Sequence, residues 1–91
     1  AGYRTLLADA DLRCPSLHAA FDLPLAPGVC ELLADPSRAE ATVHPGPVPG
    51  LHLLPAGEYS PLAAAGLARR RLQELLDGLR PSYDFILLDS S

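Results

Sequence analysis

The sequence predicts an α/β domain in which a parallel sheet is flanked by helices. Two short apolar runs, residues 6–8 and 85–88, are each followed by an aspartate, which is typical of buried strands that carry a site at one edge of a sheet. Between them, four leucines at positions 72, 75, 76 and 79 recur at helical spacing and form one apolar stripe. Strands that alternate with helical stretches favour parallel pairing, because the helix returns the chain to the starting end of the sheet.

The first half of the chain predicts one strand and two short helices. Residues 3–8 are mostly apolar and uncharged, as expected for a strand covered on both faces. Pro15 fits the first turn of a helix over residues 16–21, where its missing N–H has no cost. Residues 23–28 are rich in proline and predict a loop, and a second short helix follows at Val29–Ala34.

The second half predicts two further strands around the longest helix. Residues 38–43 are ambiguous and could form a turn of helix, whereas residues 44–50 are dense in proline and glycine and predict a loop. A second strand is predicted at Leu51–Leu54, the long helix at residues 61–79, and the last strand at residues 85–88. The connections between these parallel strands are expected to be right-handed.

Length and composition limit the classes of protein to which the chain can belong. Its 91 residues suffice for one small domain, and it contains no methionine and no lysine. Because it begins without an initiator methionine and ends directly after a strand, we expect an internal piece of a longer protein. The net charge of −4, spread over interspersed acids and arginines, disfavours a nucleic-acid surface. No apolar run approaches the length of a membrane span, and no signal-peptide pattern is present.

Three aspartates and one arginine form the candidate site. Asp9 and Asp11 follow the first strand, Arg13 comes two residues later, and Asp89 ends the last strand. Carboxylates in this position suit Mg²⁺, which proteins hold through one or two carboxylates together with phosphate oxygens. One carboxylate could instead accept a hydroxyl proton during phosphoryl transfer, and Arg13 could pair with an aspartate or with phosphate charge. The alternative is that Asp9 and Asp11 only cap the following turn and helix.

Four segments, in order along nearly the whole chain, carry a resemblance to a known family. Residues 6–13, with Pro15 and His18, read as three apolar residues followed by Asp-x-Asp-x-Arg-x-Pro-x-x-His. This pattern resembles the Walker A′ motif of the bacterial tyrosine kinases, which are P-loop autokinases of capsule and exopolysaccharide synthesis in the deviant-Walker, partition ATPase-like superfamily. The remaining segments resemble the family's Pro-Gly helix start, its strand with a Pro-Ala-Gly turn, and its Walker B strand: residues 27–33, 48–57 and 85–89.

The resemblance implies a fold, an activity and a set of site residues. Residues 1–91 would be a partial P-loop NTPase domain, with a Rossmann-like three-layer fold, that runs from the Walker A′ motif to the Walker B motif. The activity would be ATP-dependent phosphorylation of tyrosines in the kinase's own tail, which regulates the chain length and export of the polysaccharide. By carry-over, Asp9, Asp11 and Arg13 would be catalytic. ATP would be bound with the help of Asp9, Asp11 and Asp89, and Mg²⁺ would be held by Asp11 and Asp89.

The resemblance also implies partners and a location. Members of this family form homo-oligomeric rings, and the cytoplasmic tail of a transmembrane chain-length regulator (a polysaccharide co-polymerase) switches them on. In some members the regulator is fused to the kinase chain. The expected location is therefore the cytoplasm, at the inner face of the cell membrane, and no nucleic-acid partner is expected.

The chain departs from the family pattern in four places. The Gly-rich P-loop with its lysine is absent, and the tyrosine-rich tail is also absent, so we expect these residues alone to be inactive. Ser91 stands where the family has the first proline after its Walker B strand. Only Ser60 and Pro61 remain of the family's Pro-Asn-Pro before the long helix.

Three other functions are compatible with a strand that ends in Asp-x-Asp. The first is a partition or positioning ATPase of the same superfamily, without kinase activity. The second is a phosphatase similar to the haloacid dehalogenases, although Arg13 stands where those enzymes commonly have threonine or valine. The third is a catalytically inactive interaction domain that keeps the fold.

Overall fold

The computed structural model describes residues 2–61 and 68–90, and within them the chain forms one sheet with helices packed against it. The strands are β1 (Thr5–Asp9), β2 (His44–Pro45), β3 (Leu51–Leu54) and β4 (Phe85–Asp89). The helices are α1 (Leu17–Ala20), α2 (Val29–Ala34), α3 (Ala39–Thr42) and α4 (Ala68–Leu79), with 3-10 turns at Pro36–Arg38 and Arg80–Ser82. In the described parts of the chain, no helix combines the length and the apolar character needed to cross a membrane.

The sheet has the strand order β2-β3-β1-β4, with β1 in a central position. β1 pairs in parallel with both neighbours, and Thr5 lies opposite Leu51 on one side and Phe85 on the other. The α/β fold class with a parallel sheet is therefore confirmed. Since β1, β3 and β4 run in the same direction, their carboxyl ends meet at one edge of the sheet and their amino ends at the other.

One predicted loop contains a short strand. Residues 44–50 were predicted to be loop throughout. This prediction was wrong for His44 and Pro45, which form β2 and pair antiparallel with β3. His44 lies opposite Leu53, and Pro45 lies opposite His52. Proline, which cannot donate a hydrogen bond, is tolerated here because β2 is the edge strand.

The predicted bounds of α2 and β3 are confirmed, and the remaining boundaries moved by one or two residues. The first strand occupies residues 5–9 where 3–8 was predicted, and the first helix is shortened to residues 17–20. The ambiguous segment 38–43 contains the end of a 3-10 turn and the whole of α3. The long helix is described from residue 68 to 79, whereas part of its predicted first half, residues 62–67, lies outside the described residues, as do Ala1 and Ser91.

The core lies between the sheet and helices α2 and α4. Leu6 and Ala8 of β1 and Leu54 of β3 are fully buried and belong to one cluster with residues of both helices. α2 contributes Val29, Leu32 and Leu33, and α4 contributes Leu75 and Leu79. β4 differs from β1, because its apolar residues Phe85, Leu87 and Leu88 are 52%, 54% and 45% exposed. An apolar edge strand of this kind leaves backbone groups available for another strand.

The turn after β3 is fastened to the start of α2 by backbone hydrogen bonds. The Val29 N–H donates to the carbonyl of Pro55, and the Cys30 N–H donates to the carbonyl of Ala56, both at 2.8 Å. These bonds satisfy N–H groups that the first turn of a helix otherwise leaves without partners. They also fix the loop that leaves the carboxyl end of β3.

The Glu31 side chain and two glycines, Gly28 and Gly57, complete this contact. The Glu31 carboxylate accepts hydrogen bonds from the Gly28 N–H at 2.7 Å and from the Glu58 N–H at 3.1 Å. A Cβ atom on Gly28 would overlap the carbonyl oxygen of Pro55 and the backbone nitrogen of Gly57. Gly57 itself has a φ of 81°, in the left-handed region that favours glycine. The close approach of the two backbones therefore depends on glycine at both positions.

A pair of glycine substitutions tests this contact. Gly28→Ala should lower the stability of the protein by about 2–3 kcal/mol, because backbone atoms that cannot move aside occupy the added methyl's position. Gly78→Ala is the matched control, because nothing lies within 4 Å of its added Cβ and alanine favours the helix by up to about 1 kcal/mol. Thermal unfolding of both variants checks the opposite signs. Equal melting temperatures would contradict the packing described.

The two cysteines test the burial of α2. Burial raises the pKa of the Cys30 thiol, and the neighbouring Glu31 charge raises it further, so both access and thiolate formation are restricted. Cys14 is exposed. Alkylation of the native protein, followed by peptide mass spectrometry, should modify Cys14 at least about 100-fold faster than Cys30. Similar rates in the native protein would show that α2 is not packed as described, and equal rates after denaturation serve as the control.

Candidate functional site

The ends of β1 and β4 bring two of the predicted aspartates together. Asp9 and Asp89 are register partners in the parallel pair, and the Ala10 N–H donates to the carbonyl of Asp89 at 2.9 Å. This places both residues at the carboxyl edge of the sheet, where open α/β sheets bind their ligands.

Asp9 organises the loop that follows β1. It is fully buried, and its Oδ1 accepts a hydrogen bond from the Asp11 N–H at 2.9 Å. Its Oδ2 accepts from the N–H groups of Ser16 and Leu17, at 3.0 and 3.1 Å, at the start of α1. Three N–H donors replace much of the solvation that a buried carboxylate loses. The alternative in which Asp9 caps the following turn and helix therefore has direct structural support.

Asp11 and Asp89 have more accessible carboxylates. Asp11 is half-buried, and its Oδ1 accepts a long hydrogen bond of 3.2 Å from the Cys14 N–H. Asp89 is also half-buried, and no side chain or backbone group of residues 2–61 and 68–90 donates a hydrogen bond to its carboxylate. Both residues are thus less enclosed than Asp9.

The oxygen donors fit Mg²⁺ only if a ligand completes its coordination. In the described parts of the chain, no group of three or more His, Cys, Asp or Glu side chains could hold a metal ion. Mg²⁺ does not require such a group, because it is commonly held by one or two carboxylates together with substrate phosphates and water. Asp11 and Asp89 match that chemistry, and the magnesium site remains a prediction.

Arg13 contacts a residue that the sequence did not nominate. Its Nε donates to the hydroxyl of Tyr59 at 3.2 Å, and its guanidinium lies 5.7 Å from the centre of the Tyr59 ring. The hydrogen bond to Tyr59 raises the pKa of Arg13, which keeps its charge. Tyr59 follows β3, so the contact joins two loops at the carboxyl edge, and no sequence pattern indicated it because 46 residues separate the pair.

Comparison with known sequences gives relatives that match nearly the whole chain. No family model matches it. EpsB of Ralstonia nicotianae is 38% identical over 89 residues, which are 98% of this chain and 12% of that protein. The tyrosine-protein kinase YwqD of Bacillus subtilis is 33% identical over 89 residues, which are 98% of this chain and 38% of that protein. The chain thus spans between about an eighth and two fifths of these relatives.

Solved structures give the same result for the fold. The BceF tyrosine kinase domain is 42% identical with a TM-score of 0.78, and the match covers 98% of this chain and 35% of that one. The chimerical protein CapA2B2 is 30% identical with a TM-score of 0.84, over 98% of this chain and 39% of that one. The chain belongs to the bacterial tyrosine kinase family. The resemblance based on the residues around Asp9 and Asp11 is therefore confirmed at the level of the family.

Asp9 and Asp89 lie in different environments, so their substitution should lower the free energy of unfolding by different amounts. Asp9→Asn should destabilise the fold by about 3 kcal/mol, because the amide keeps only one acceptor oxygen for three N–H groups and brings two donors of its own. Asp89→Asn should change stability by less than about 1 kcal/mol, because no described group donates to its carboxylate. Thermal unfolding measures both. A larger loss for Asp89→Asn than for Asp9→Asn would contradict the assigned roles.

Proposed function

We propose that the protein containing this chain is an ATP-dependent protein-tyrosine autokinase of a capsule or exopolysaccharide system. These residues would provide the metal-binding and proton-accepting side of its ATP site. The observation that carries the proposal is the pairing of Asp9 with Asp89, which puts the Asp-x-Asp loop beside a second strand-end carboxylate. Relatives named as tyrosine kinases match 96–99% of the chain, which favours a kinase over the alternative phosphatase or partition ATPase.

The residues divide the chemistry according to their burial. Asp9 positions the loop, because its buried carboxylate is bonded to the N–H groups of Asp11, Ser16 and Leu17. Asp11 and Asp89 would hold Mg²⁺, which supplies charge neutralisation to the phosphate oxygens when bound. Because Asp9 is buried, Asp11 is the loop carboxylate whose oxygen a tyrosine hydroxyl can approach from outside.

The proposed transfer requires one proton acceptor and one cation from this chain. The tyrosine oxygen forms a bond to the γ-phosphorus of ATP, the bond from that phosphorus to the β,γ-bridging oxygen breaks, and ADP leaves. The hydroxyl proton passes to the Asp11 carboxylate. Arg13, held in a charged state beside Tyr59, would balance negative charge on the transferred phosphoryl group.

The partners and location follow from the same family. We propose a transmembrane chain-length regulator as the activating partner, a homo-oligomeric ring as the assembly, and the inner face of the cell membrane as the location. The relative sizes support both a separate and a fused regulator, because 89 matched residues are 12% of EpsB but 38% of YwqD, so EpsB is roughly three times as long. A fused additional segment would account for such a difference.

Substitution of the two accessible aspartates tests the proposed activity. In the complete protein, Asp11→Asn and Asp89→Asn should each reduce autophosphorylation on tyrosine by at least about 100-fold, because they remove a metal ligand or the proton acceptor. Asp77→Asn is the matched control, since Asp77 is an exposed residue of α4 that pairs with Arg80 and should leave the rate unchanged. Incorporation of labelled phosphate from ATP, detected as phosphotyrosine, measures the rate.

The outcomes separate the alternatives that share this fold. ATP hydrolysis that requires Asp11, with no phosphotyrosine formed, would favour the partition or positioning ATPase. Neither hydrolysis nor phosphotyrosine in the complete protein would favour an inactive interaction domain. Full autophosphorylation in both aspartate variants would place the site elsewhere.

A further inference from the structure

A cavity lies at the opposite edge of the sheet from the aspartates. It has a volume of about 320 Å³, and its lining includes Arg4, His52 and Tyr83, which lie near the amino ends of the three parallel strands. Arg4 directly precedes β1, Tyr83 lies two residues before β4, and His52 is in β3. Because Asp9 and Asp89 end their strands at the other edge, this cavity is separate from the proposed ATP site. Its volume lies at the lower end of the range for small-molecule pockets.

The cavity has a cationic group held in place by its surroundings. The Arg4 guanidinium lies over the Tyr83 ring, 5.3 Å from its centre, and forms no ion pair within residues 2–61 and 68–90. The Arg4 backbone is fixed on both sides, because its N–H donates to the Asp84 carboxylate at 2.6 Å and its carbonyl accepts the Asp84 N–H at 2.8 Å. A guanidinium has five N–H donors in a planar arrangement that matches carboxylate and phosphate groups.

Tyr83 and His52 form a polar wall beside this guanidinium. The Tyr83 hydroxyl and His52 Nδ1 are 2.8 Å apart, and their rings meet edge to face at 5.5 Å. Burial raises the pKa of Tyr83, so its hydroxyl stays protonated and uncharged at neutral pH. Its negative form therefore does not compete with a ligand for Arg4.

The remaining lining residues give the cavity an apolar side and one negative charge. Val43 and Leu79 are apolar residues of the lining, and Leu79 belongs to the buried core. Glu40 of α3 lies on the lining and contributes a negative charge that is felt at Tyr83. A ligand with one anionic group fits this arrangement, whereas one with several charges would be repelled by Glu40.

We propose that this cavity binds a small organic monoanion, a carboxylate or a phosphate diester, with its charged group on Arg4 and its apolar part against Val43 and Leu79. The size of the cavity limits the ligand to about the dimensions of a substituted single ring. The proposal does not depend on the kinase activity, because it uses none of the residues at the carboxyl edge. It gives the chain a second binding site, which takes an anion, whereas a magnesium site takes a cation.

The charges of the cavity allow a test with two variants that act in opposite directions. With benzoate and methyl phenyl phosphate, which each carry one negative charge, as the probes and the complete protein in solution, isothermal titration or ligand-detected NMR should give dissociation constants of about 1 mM or lower. Arg4→Gln should weaken both by at least about 10-fold, because it removes the cation. Glu40→Gln should strengthen both by about 3-fold, because it removes a repulsive charge. A difference between the two probes identifies which anion the cavity prefers.

Controls exclude general charge effects and separate the two sites. Arg70→Gln removes an exposed arginine of α4 outside the cavity lining and should leave both dissociation constants unchanged. Benzamide, an uncharged analogue, should bind at least about 10-fold more weakly than benzoate. Asp11→Asn should not affect probe binding, so loss of kinase activity and loss of this site are distinguishable.

Three results would overturn the proposal. One is the absence of binding by both probes at about 20 mM. Another is weakening by Arg70→Gln as large as that by Arg4→Gln. The third is a Glu40→Gln variant that folds with an unchanged melting temperature but binds the probes no more tightly than the original protein. This third result does not depend on whether Arg4→Gln folds.

Discussion

The structure at the carboxyl edge depends on one buried charge, the carboxylate of Asp9. Removing an ionised carboxylate from water is costly, and the cost is offset only if donors surround it. The chain supplies three backbone N–H groups, from Asp11, Ser16 and Leu17, by folding residues 10–16 back over the end of β1. The loop conformation and the placement of α1 therefore follow from the need to satisfy this group. Asp11 is half-buried, whereas Asp9 is fully enclosed.

The parallel arrangement gives the two edges of the sheet different chemistry. At the carboxyl ends, the register of β1 with β4 places Asp89 beside the loop, so negative oxygen donors accumulate there. At the amino ends, Arg4, Tyr83 and His52 surround a cavity that presents a cation and hydrogen-bonding groups. Since all strand ends of one kind meet at one edge, residues that are distant in sequence become neighbours by topology alone. A metal-phosphate site and a site for a small anion can therefore coexist about one strand length apart.

Family membership and the local geometry support the kinase assignment in different ways. The relatives identify which family of enzymes has this segment, and they match 96–99% of the chain. The geometry distinguishes the two residues of the motif, because Asp9 is fully buried and bonded to three N–H groups, whereas Asp11 is half-buried. The contact of Arg13 with Tyr59 joins the loop after β1 to the loop after β3, which in turn is fastened to α2 through Pro55. One side-chain contact and the backbone hydrogen bonds at Pro55 thus connect three separate segments around the candidate site.

The sequence by itself determined the elements whose signals are local. The bounds of α2 and β3 followed from apolar spacing and flanking prolines or glycines, and the strand-end aspartates followed from the runs that precede them. Only the tertiary structure decided β2, because a two-residue strand containing proline has no pattern of its own and exists through pairing with β3. Only the tertiary structure showed that Asp9 is buried and Asp11 half-buried, since burial depends on which other segments cover a residue. The pairs Arg13–Tyr59 and His52–Tyr83 are separated by 46 and 31 residues, and spacing along a chain does not determine such contacts.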